Sequence, residues 1–382
     1  MIPLFKVAMA PDALGRISEV LDSGRLEHGP KMVEFEKALA LRLGNPRVLA
    51  VNCGTSGLHL ALSMVADPDR FPATAQPSGD AGGPGEVLST PLTFEATNWP
   101  ILAHGLRVRW VDVDPATLTI DLDDLAAKIS PATRAIVVVH WLGYPVDLNR
   151  LREIVDRAEE AYGFRPVVIE DCAQAWGATY RGAPLGNHGN VCVYSFGAIK
   201  ILTCGSGGLI VLPDEDLHRR ARLRRWLGIE RQADRVHGDY DVAEWGYRFP
   251  MNDISAAIGL SNLEIVDGLL ARTRKNAAFY DKELSGIAGV EHTERADDRE
   301  PSFWAYPLKV VDRTSFMRKM ADAGIMTSMI SRRNDAHSCV AVAREGLPGL
   351  DGVHDRVVYV PVGWWLSEEE RGHIADTIRS GW

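Results

Sequence analysis

The sequence predicts an α/β protein built on a mainly parallel sheet, with a smaller α+β region toward its C-terminal end. Two features of the 382 residues carry this reading. Short apolar runs alternate with helical patterns from about residue 47 to residue 212, the order of strand and crossover that a parallel sheet covered on both faces requires. After Arg248 the pattern changes to one long helical stretch and then to strands around a further helix. A chain of this length can bury a substantial core and hold a large domain plus a small one.

The predicted strands are 47–51, 86–90, 107–111, 135–140, 166–170, 191–194 and 208–212, each followed by a turn or a helix start. Residues 121–129 read as a helix with acids in its first turn, where the positive end of the helix dipole favours them. A second helix, 149–162, carries an apolar stripe at Leu151, Ile154, Val155 and Ala158. The stretch 71–85, rich in Pro, Gly, Ala and Ser, reads as a mobile surface loop and not as a domain boundary. Residues 253–266 are strongly helical through Ile254, Ala257, Ile258, Leu260, Leu263 and Ile265, and the pattern runs past Asp267 and Gly268 to residue 284. This stretch is the expected connection between a large domain with its N-terminal arm, 1–255, and a small C-terminal α+β domain, 256–382. In the small domain, strands near 305–311 and 356–360 accompany a helix at 314–323. No internal repeat is visible.

Composition narrows the function classes. A make-up of 46% apolar and 24% charged residues is that of an ordinary soluble globular protein. A net charge of −9 without a polybasic run argues against nucleic acid, and the five arginines between 219 and 225 read as a solvated or subunit-facing helix surface. Cys53, Cys172, Cys192, Cys204 and Cys339 are odd in number and lack Cys-x-x-Cys or Cys/His ligand spacing, which argues against a disulfide framework and a zinc site. The first residues lack a basic leader before an apolar segment, and no apolar run approaches membrane-spanning length. The expectation is therefore a cytoplasmic protein with no membrane partner and no metal.

The chemistry concentrates around Lys200. It ends an apolar segment, where a lysine must either reach water or be held in a site that uses its amine. Asp171 closes an upstream apolar strand at the carboxyl edge of the sheet, where open α/β folds bind ligands; alone it reads equally as the cap of the next helix. A buried neutral amine can attack an aldehyde, and a carboxylate can keep a pyridine nitrogen protonated so that the ring accepts an electron pair. Both are needs of pyridoxal phosphate held as a Schiff base. Gly54, Thr55 and Ser56 stand at a helix start after a strand, where backbone N–H groups and the dipole form a phosphate cup; Thr and Ser are also ordinary helix caps. Ser195 can donate to the same phosphate. Gln174 follows Asp171 by one turn, and Phe94 comes just after a strand, placed either to stack on a ring or to fill core.

Together these residues resemble the sugar aminotransferases of the DegT/DnrJ/EryC1/StrS type, fold-type I enzymes dependent on pyridoxal phosphate. The likeness covers nearly the whole chain, through residues 2–6, 23–30, 54–56, 140–148 and 170–174, the Ser195-Phe-x-x-x-Lys200 run, and 251–260. The resemblance implies a mainly parallel seven-stranded sheet and a role for each residue. Thr55, Ser56 and Ser195 would hold the cofactor phosphate beside Gly54, Phe94 would stack on the ring, Asp171 would pair with the ring nitrogen, Gln174 would touch the ring hydroxyl, and Lys200 would form the Schiff base. It further implies a homodimer whose site is completed by the neighbouring subunit through residues 246–253, with Arg248 and Asn252 the candidates there. The chain departs from the family pattern at Cys204-Gly-Ser206-Gly-Gly208, at Pro250, and in the length of 71–85. Related dehydratases carry histidine in place of the lysine, so Lys200 implies amino transfer.

The implied reaction is a ping-pong transfer of the amino group of L-glutamate, or a similar amino acid, to a keto group of a nucleotide-linked deoxysugar. The loop 331–337 is a candidate substrate lid in which Arg333 and His337 would face the substrate, arginines there suiting a diphosphate; it reads equally as an exposed polar loop. A cyclitol or other carbocyclic ketone is the alternative substrate. From a different class, the chain could be a non-catalytic regulatory protein that binds the cofactor or a sugar, although no recognition helix or DNA-binding module is visible.

Overall fold

A computed structural model of the chain describes residues 1–27, 29–66, 85–230, 241–329, 331–340 and 346–382. The 71–85 loop lies, apart from Gly85, outside the described residues. The first strands are β1 Val48–Val51, β2 Glu86–Ser89, β3 Arg107–Trp110, β4 Thr133–Val139, β5 Val167–Asp171, β6 Thr179–Tyr180, β7 Ala183–Pro184, β8 Val191–Ser195 and β9 Gly208–Val211. Seven of them form the large sheet in the order β1-β9-β8-β5-β4-β2-β3. Neighbours from β8 to β3 are parallel, whereas β9 runs antiparallel to both β8 and β1. The exception has a simple cause. The connection 196–207 contains no helix, and a parallel return needs a crossover, so the chain can only turn back beside β8.

The seven strands match the sequence expectation to within two residues at each end. Their flanking helices follow from capping and periodicity. Asp121 accepts from the backbone N–H groups of Asp123 and Asp124 to start Leu122–Lys128, and Asp147 does the same through Arg150 for Leu148–Tyr162. The stripe Leu151, Ile154, Val155 and Ala158 is buried against the sheet side of the core.

The helix Asp253–Glu283 runs unbroken through Asp267 and Gly268. Contrary to the sequence reading, its 31 residues include a stretch of mean hydropathy 1.4, long and apolar enough to cross a membrane by length and composition. Its surroundings give it a core role: it packs along the helices Ala13–Ser23 and Pro30–Leu43. Asn262, buried at its middle, accepts from Ala10 N and donates to Thr203 O, each at 2.8 Å. At its start the Asp253 carboxylate accepts from the N–H groups of Gly29, Lys31 and Met32, which supplies acceptors to the otherwise open first turn of Pro30–Leu43.

The remaining strands are β10 Val290–His292, β11 Arg299–Glu300, β12 Tyr306–Val310, β13 Ser328–Met329 and β14 Val357–Val360. Four make an antiparallel sheet in the order β10-β12-β14-β13, while β11 pairs with β6. Tyr280, Leu308, Phe316, Val358 and Ile374 form the centre of a separate hydrophobic cluster that also takes in Ile2.

One sequence expectation fails in the arginine run. Arg219 and Arg222 on the helix Glu215–Arg225 are solvated, but Arg224 and Arg225 are buried. Arg224 donates to Ser63 O at 2.7 Å and to Glu244 at 2.8 Å, and Arg225 donates to Glu36 and to Ala50 O, each pairing within hydrogen-bond reach. A helix that lies on the sheet must turn one face inward, and guanidinium groups there persist because each finds acceptors.

Candidate active site

Strands β1, β2, β4, β5 and β8 all end on one edge of the large sheet, and Gly54, Thr55, Ser56, Asp171 and Ser195 stand at or just beyond those ends. From β1 the chain enters the helix Gly54–Val65, with the Cys53 sulfur accepting from Ser56 N. This leaves the helix N-terminus at the sheet edge, where the first-turn N–H groups lack intrahelical acceptors. Gly54 lies against the end of β8: a Cβ on it would stand 2.9 Å from Ser195 Cβ. A Cβ on Gly208, at the start of β9, would stand 2.7 Å from backbone atoms of both Cys53 and Gly54. Three backbone segments thus converge closer than any side chain would permit. The cradle beside Thr55, Ser56 and Ser195 therefore fits a phosphate, whose acceptor oxygens need backbone N–H groups and hydroxyls.

Lys200 occupies the β8–β9 connection, which is closed by Phe196 N to Gly207 O at 2.8 Å and Cys204 N to Phe196 O at 2.9 Å. Burial lowers its pKa to about 8, against the opposing pull of the Asp171 charge. Its amine lies 4.4 Å from the ring centroid of Trp304. Asp171, buried at the end of β5, accepts from Thr97 Oγ1 at 2.7 Å and from Ala173 N at 2.9 Å. Thr97 Oγ1 also lies 2.7 Å from Thr93 Oγ1. Glu170, the neighbouring residue on the opposite face, serves a different group: it takes a 2.8 Å contact from His140 Nε2 and a 2.7 Å bond from Asn190. His140 Nδ1 faces Val146 N at 3.0 Å, so Nε2 is the ring nitrogen that turns its proton to Glu170. Cys172 completes this buried cluster, behind the site.

Gln174 accepts from Leu142 N through Oε1 at 2.8 Å. Its amide nitrogen is therefore the end left to donate. Leu142 O in turn accepts from Trp304 N at 3.0 Å, and Gly143 O from Ser302 N at 3.1 Å. Leu142 and Phe303 both hold left-handed backbone, at φ 55° and 53°, a conformation that costs ~1–3 kcal/mol for such residues and collects at functional sites. Phe94 is 59% exposed, which rules out a core role.

Arg248 and Asn252 form a second group around Glu27. Arg248, exposed, donates to Glu27 at 2.6 Å, and Asn252, the cap of the long helix, shares a β-bridge with Glu27. The lid expected at 331–337 is corrected by the structure. Asn334 is fully buried and pinned by Pro91 O, Thr93 O and the Asn98 side chain. Arg333 is held in a fork by Asp335, at 2.6 and 2.7 Å, and reaches Asp351 as well. Its guanidinium braces the segment and presents no open fork to a diphosphate. His337 Nε2 lies 3.4 Å from Glu95, next to Phe94. Sequence reasoning missed Thr97, Leu142 and Trp304. Thr93 and Thr97 flank Phe94 in the sequence and could have been found as paired hydroxyls, whereas nothing local marks Trp304.

The sequence profile of the DegT/DnrJ/EryC1/StrS aminotransferase family matches residues 8–379. Among solved structures, the chain is 73% identical to the sugar aminotransferase CalS13 from Micromonospora echinospora, over all of both chains, with a TM-score of 0.95. It is 63% identical to AtS13 from Actinomadura melliaura, over 100% of this chain and 99% of that one, again with a TM-score of 0.95. DesV of S. venezuelae, solved in complex with a ketimine intermediate, is 28% identical over 97% of this chain and 94% of its own, with a TM-score of 0.86.

Proposed function

Because the chain belongs to the DegT/DnrJ/EryC1/StrS aminotransferase family and is a pyridoxal-phosphate-dependent aminotransferase, we propose that it transfers the amino group of L-glutamate to a keto group of a nucleotide-linked deoxysugar, in two half-reactions at one site. The observation that carries this reading is Lys200: a half-buried residue whose desolvated amine has its pKa lowered to about 8, with the buried carboxylate of Asp171 acting on it, in the loop that follows a glycine-walled cradle. The sugar is inferred from the close likeness to CalS13, a sugar aminotransferase.

Pyridoxal phosphate, when bound, supplies an aldehyde for amines and a ring that accepts an electron pair. The protein's own residues do the rest. Gly54, Thr55, Ser56 and Ser195 would hold the phosphate, Phe94 would cover the ring, and the Gln174 amide would donate to its hydroxyl. Asp171, which accepts hydrogen bonds from Thr97 and Ala173 N, would hold a proton on the ring nitrogen. Lys200 would anchor the cofactor through its amine and, with that amine free, would act as general acid and base at Nζ, a role worth on the order of 10²–10⁴-fold in rate. Residues 246–253 of a second copy complete the site in a homodimer, with Arg248 and Asn252 at the junction. His337 stands at the substrate side through Glu95. The division at 1–255 and 256–382, and a cytoplasmic location, belong to the same proposal.

The test is isotopic. The protein is incubated with pyridoxal phosphate, L-[¹⁵N]glutamate and a panel of nucleotide-linked keto-deoxysugars, with 2-oxoglutarate and the sugar mass followed. Label in a sugar with stoichiometric 2-oxoglutarate supports the reading. Label in a carbocyclic ketone and in no sugar transfers it to the alternative substrate.

A further inference from the structure

Lys200 has one close neighbour that the roles above leave unused. Its Nζ stands 4.4 Å from the centroid of the Trp304 ring, within the range in which an ammonium is attracted by an aromatic face. The ring is held from several sides. Its Nε1–H donates to Ile199 O at 3.1 Å, so the indole is tied to the residue before Lys200. Its backbone N–H donates to Leu142 O, and Leu142 N–H donates to Gln174. Phe5, from the first residues of the chain, stacks on the ring at 4.5 Å between centroids and 24° between planes. An indole fixed at both its ring nitrogen and its backbone, with a second aromatic stacked on it, keeps its orientation relative to the lysine loop.

We propose that the face of Trp304 is the seat of the protonated Lys200 amine whenever that amine is free of the cofactor, and that Phe5 holds this face in place. The inference rests on the proposed amino-transfer role of Lys200. Burial disfavours the ammonium that Lys200 must become when it takes up a proton, and the described charge that offsets this is Asp171, from the end of β5. Lys6, next to Phe5, faces Trp364 instead, 6.0 Å from its ring. The ring quadrupole adds stabilisation for the cation without a second carboxylate, which would hold the amine permanently charged. Trp304 is in this sense a positioning residue that keeps Lys200 able both to hold and to release a proton.

The test reads the amine itself in cofactor-free protein, by competitive acetylation across pH with mass spectrometry of the peptide containing Lys200. In the parent the reactivity midpoint is expected near 8. In Trp304→Leu it falls by about one pH unit, the size of a cation–π contact on this scale. Trp304→Phe keeps an aromatic face and falls between the two, and Phe5→Ala moves the midpoint in the same direction by less. Equal midpoints in the parent and Trp304→Phe, together with no fall in Trp304→Leu, overturn the proposal; should Trp304→Leu fail to fold, a Trp304→Phe midpoint equal to the parent's does so alone. Failure of the amino-transfer reading is separate, since it shows as no ¹⁵N transfer in parent protein whose Lys200 still titrates as expected.

Discussion

Asp171 Oδ2 accepts a 2.7 Å hydrogen bond from Thr97 Oγ1. The single proton of the Thr97 hydroxyl goes to the carboxylate, so the 2.7 Å contact between Thr93 and Thr97 runs in one direction, with Thr93 donating. A chain of two hydroxyls therefore ends on Asp171 and holds it as an acceptor. Hydrogen bonds to charged groups contribute about 1.5–3 kcal/mol. Thr97→Val is expected to lower the transamination rate by roughly tenfold or more, while Thr97→Ser retains most of it. Single-turnover rates with L-glutamate decide the matter: equal rates for Thr97→Val and the parent would remove Thr97 from the site's electrostatics.

Lys200 links the site to stability. The folded amine gives up its proton near 8 and an unfolded one near 10.5. Below pH 8 both states are protonated and the buried ammonium costs stability. Between 8 and 10.5 only the unfolded state still holds the proton, so stability of the cofactor-free protein rises with pH; above 10.5 the penalty is gone. Lys200→Met removes the penalty throughout. The variant is expected to be more stable than the parent by on the order of 3 kcal/mol at pH 7, with the advantage disappearing by about pH 10.5. Urea unfolding at several pH values measures this, and a constant difference across the range would contradict it.

The cradle predicts opposite effects for two glycines. An added Cβ on Gly208 would press on backbone of Cys53, Gly54 and Tyr194, at 2.7–2.8 Å. Gly208→Ala is therefore expected to destabilise by about 1–3 kcal/mol and to weaken cofactor binding. Gly268, inside the long helix, has nothing within 4 Å of such a Cβ. Gly268→Ala should stabilise by about 0.5–1 kcal/mol. Thermal unfolding and cofactor titration of the two variants give both signs.

Within one arginine run the burial pattern separates structural from surface residues. Arg225→Ala removes a buried guanidinium that binds half-buried Glu36 and Ala50 O, leaving Glu36 with the Ala50 N–H, and is expected to cost about 1–3 kcal/mol. Arg219, exposed beside Asp216, should change stability by less than about 0.5 kcal/mol when replaced by alanine. Chemical denaturation of both variants tests the contrast.

Strand periodicity and the position of Asp171 and Ser195 at strand ends were legible because they depend on neighbours in sequence; Lys200 lies beyond its strand, in the β8–β9 connection. The antiparallel turn of β9 was not, since alternation of apolar runs reports strands without their direction. Arg224 and Arg225 misled because charge marks a surface only until a fold supplies acceptors. The 331–337 loop carried lid-like residues, yet Asn334 meets Thr93 and Asn98 across more than two hundred residues of chain. Trp304 reaches Lys200 in the same long-range way.

The visible absorption spectrum of the cofactor-loaded protein, before and after excess L-glutamate and with Lys200→Ala alongside, tests the central claim most directly. The account predicts a yellow parent protein that bleaches on adding glutamate and releases 2-oxoglutarate, while Lys200→Ala shows no such turnover. A parent that takes up no chromophore from added pyridoxal phosphate, or a Lys200→Ala variant that turns over as the parent does, would contradict it.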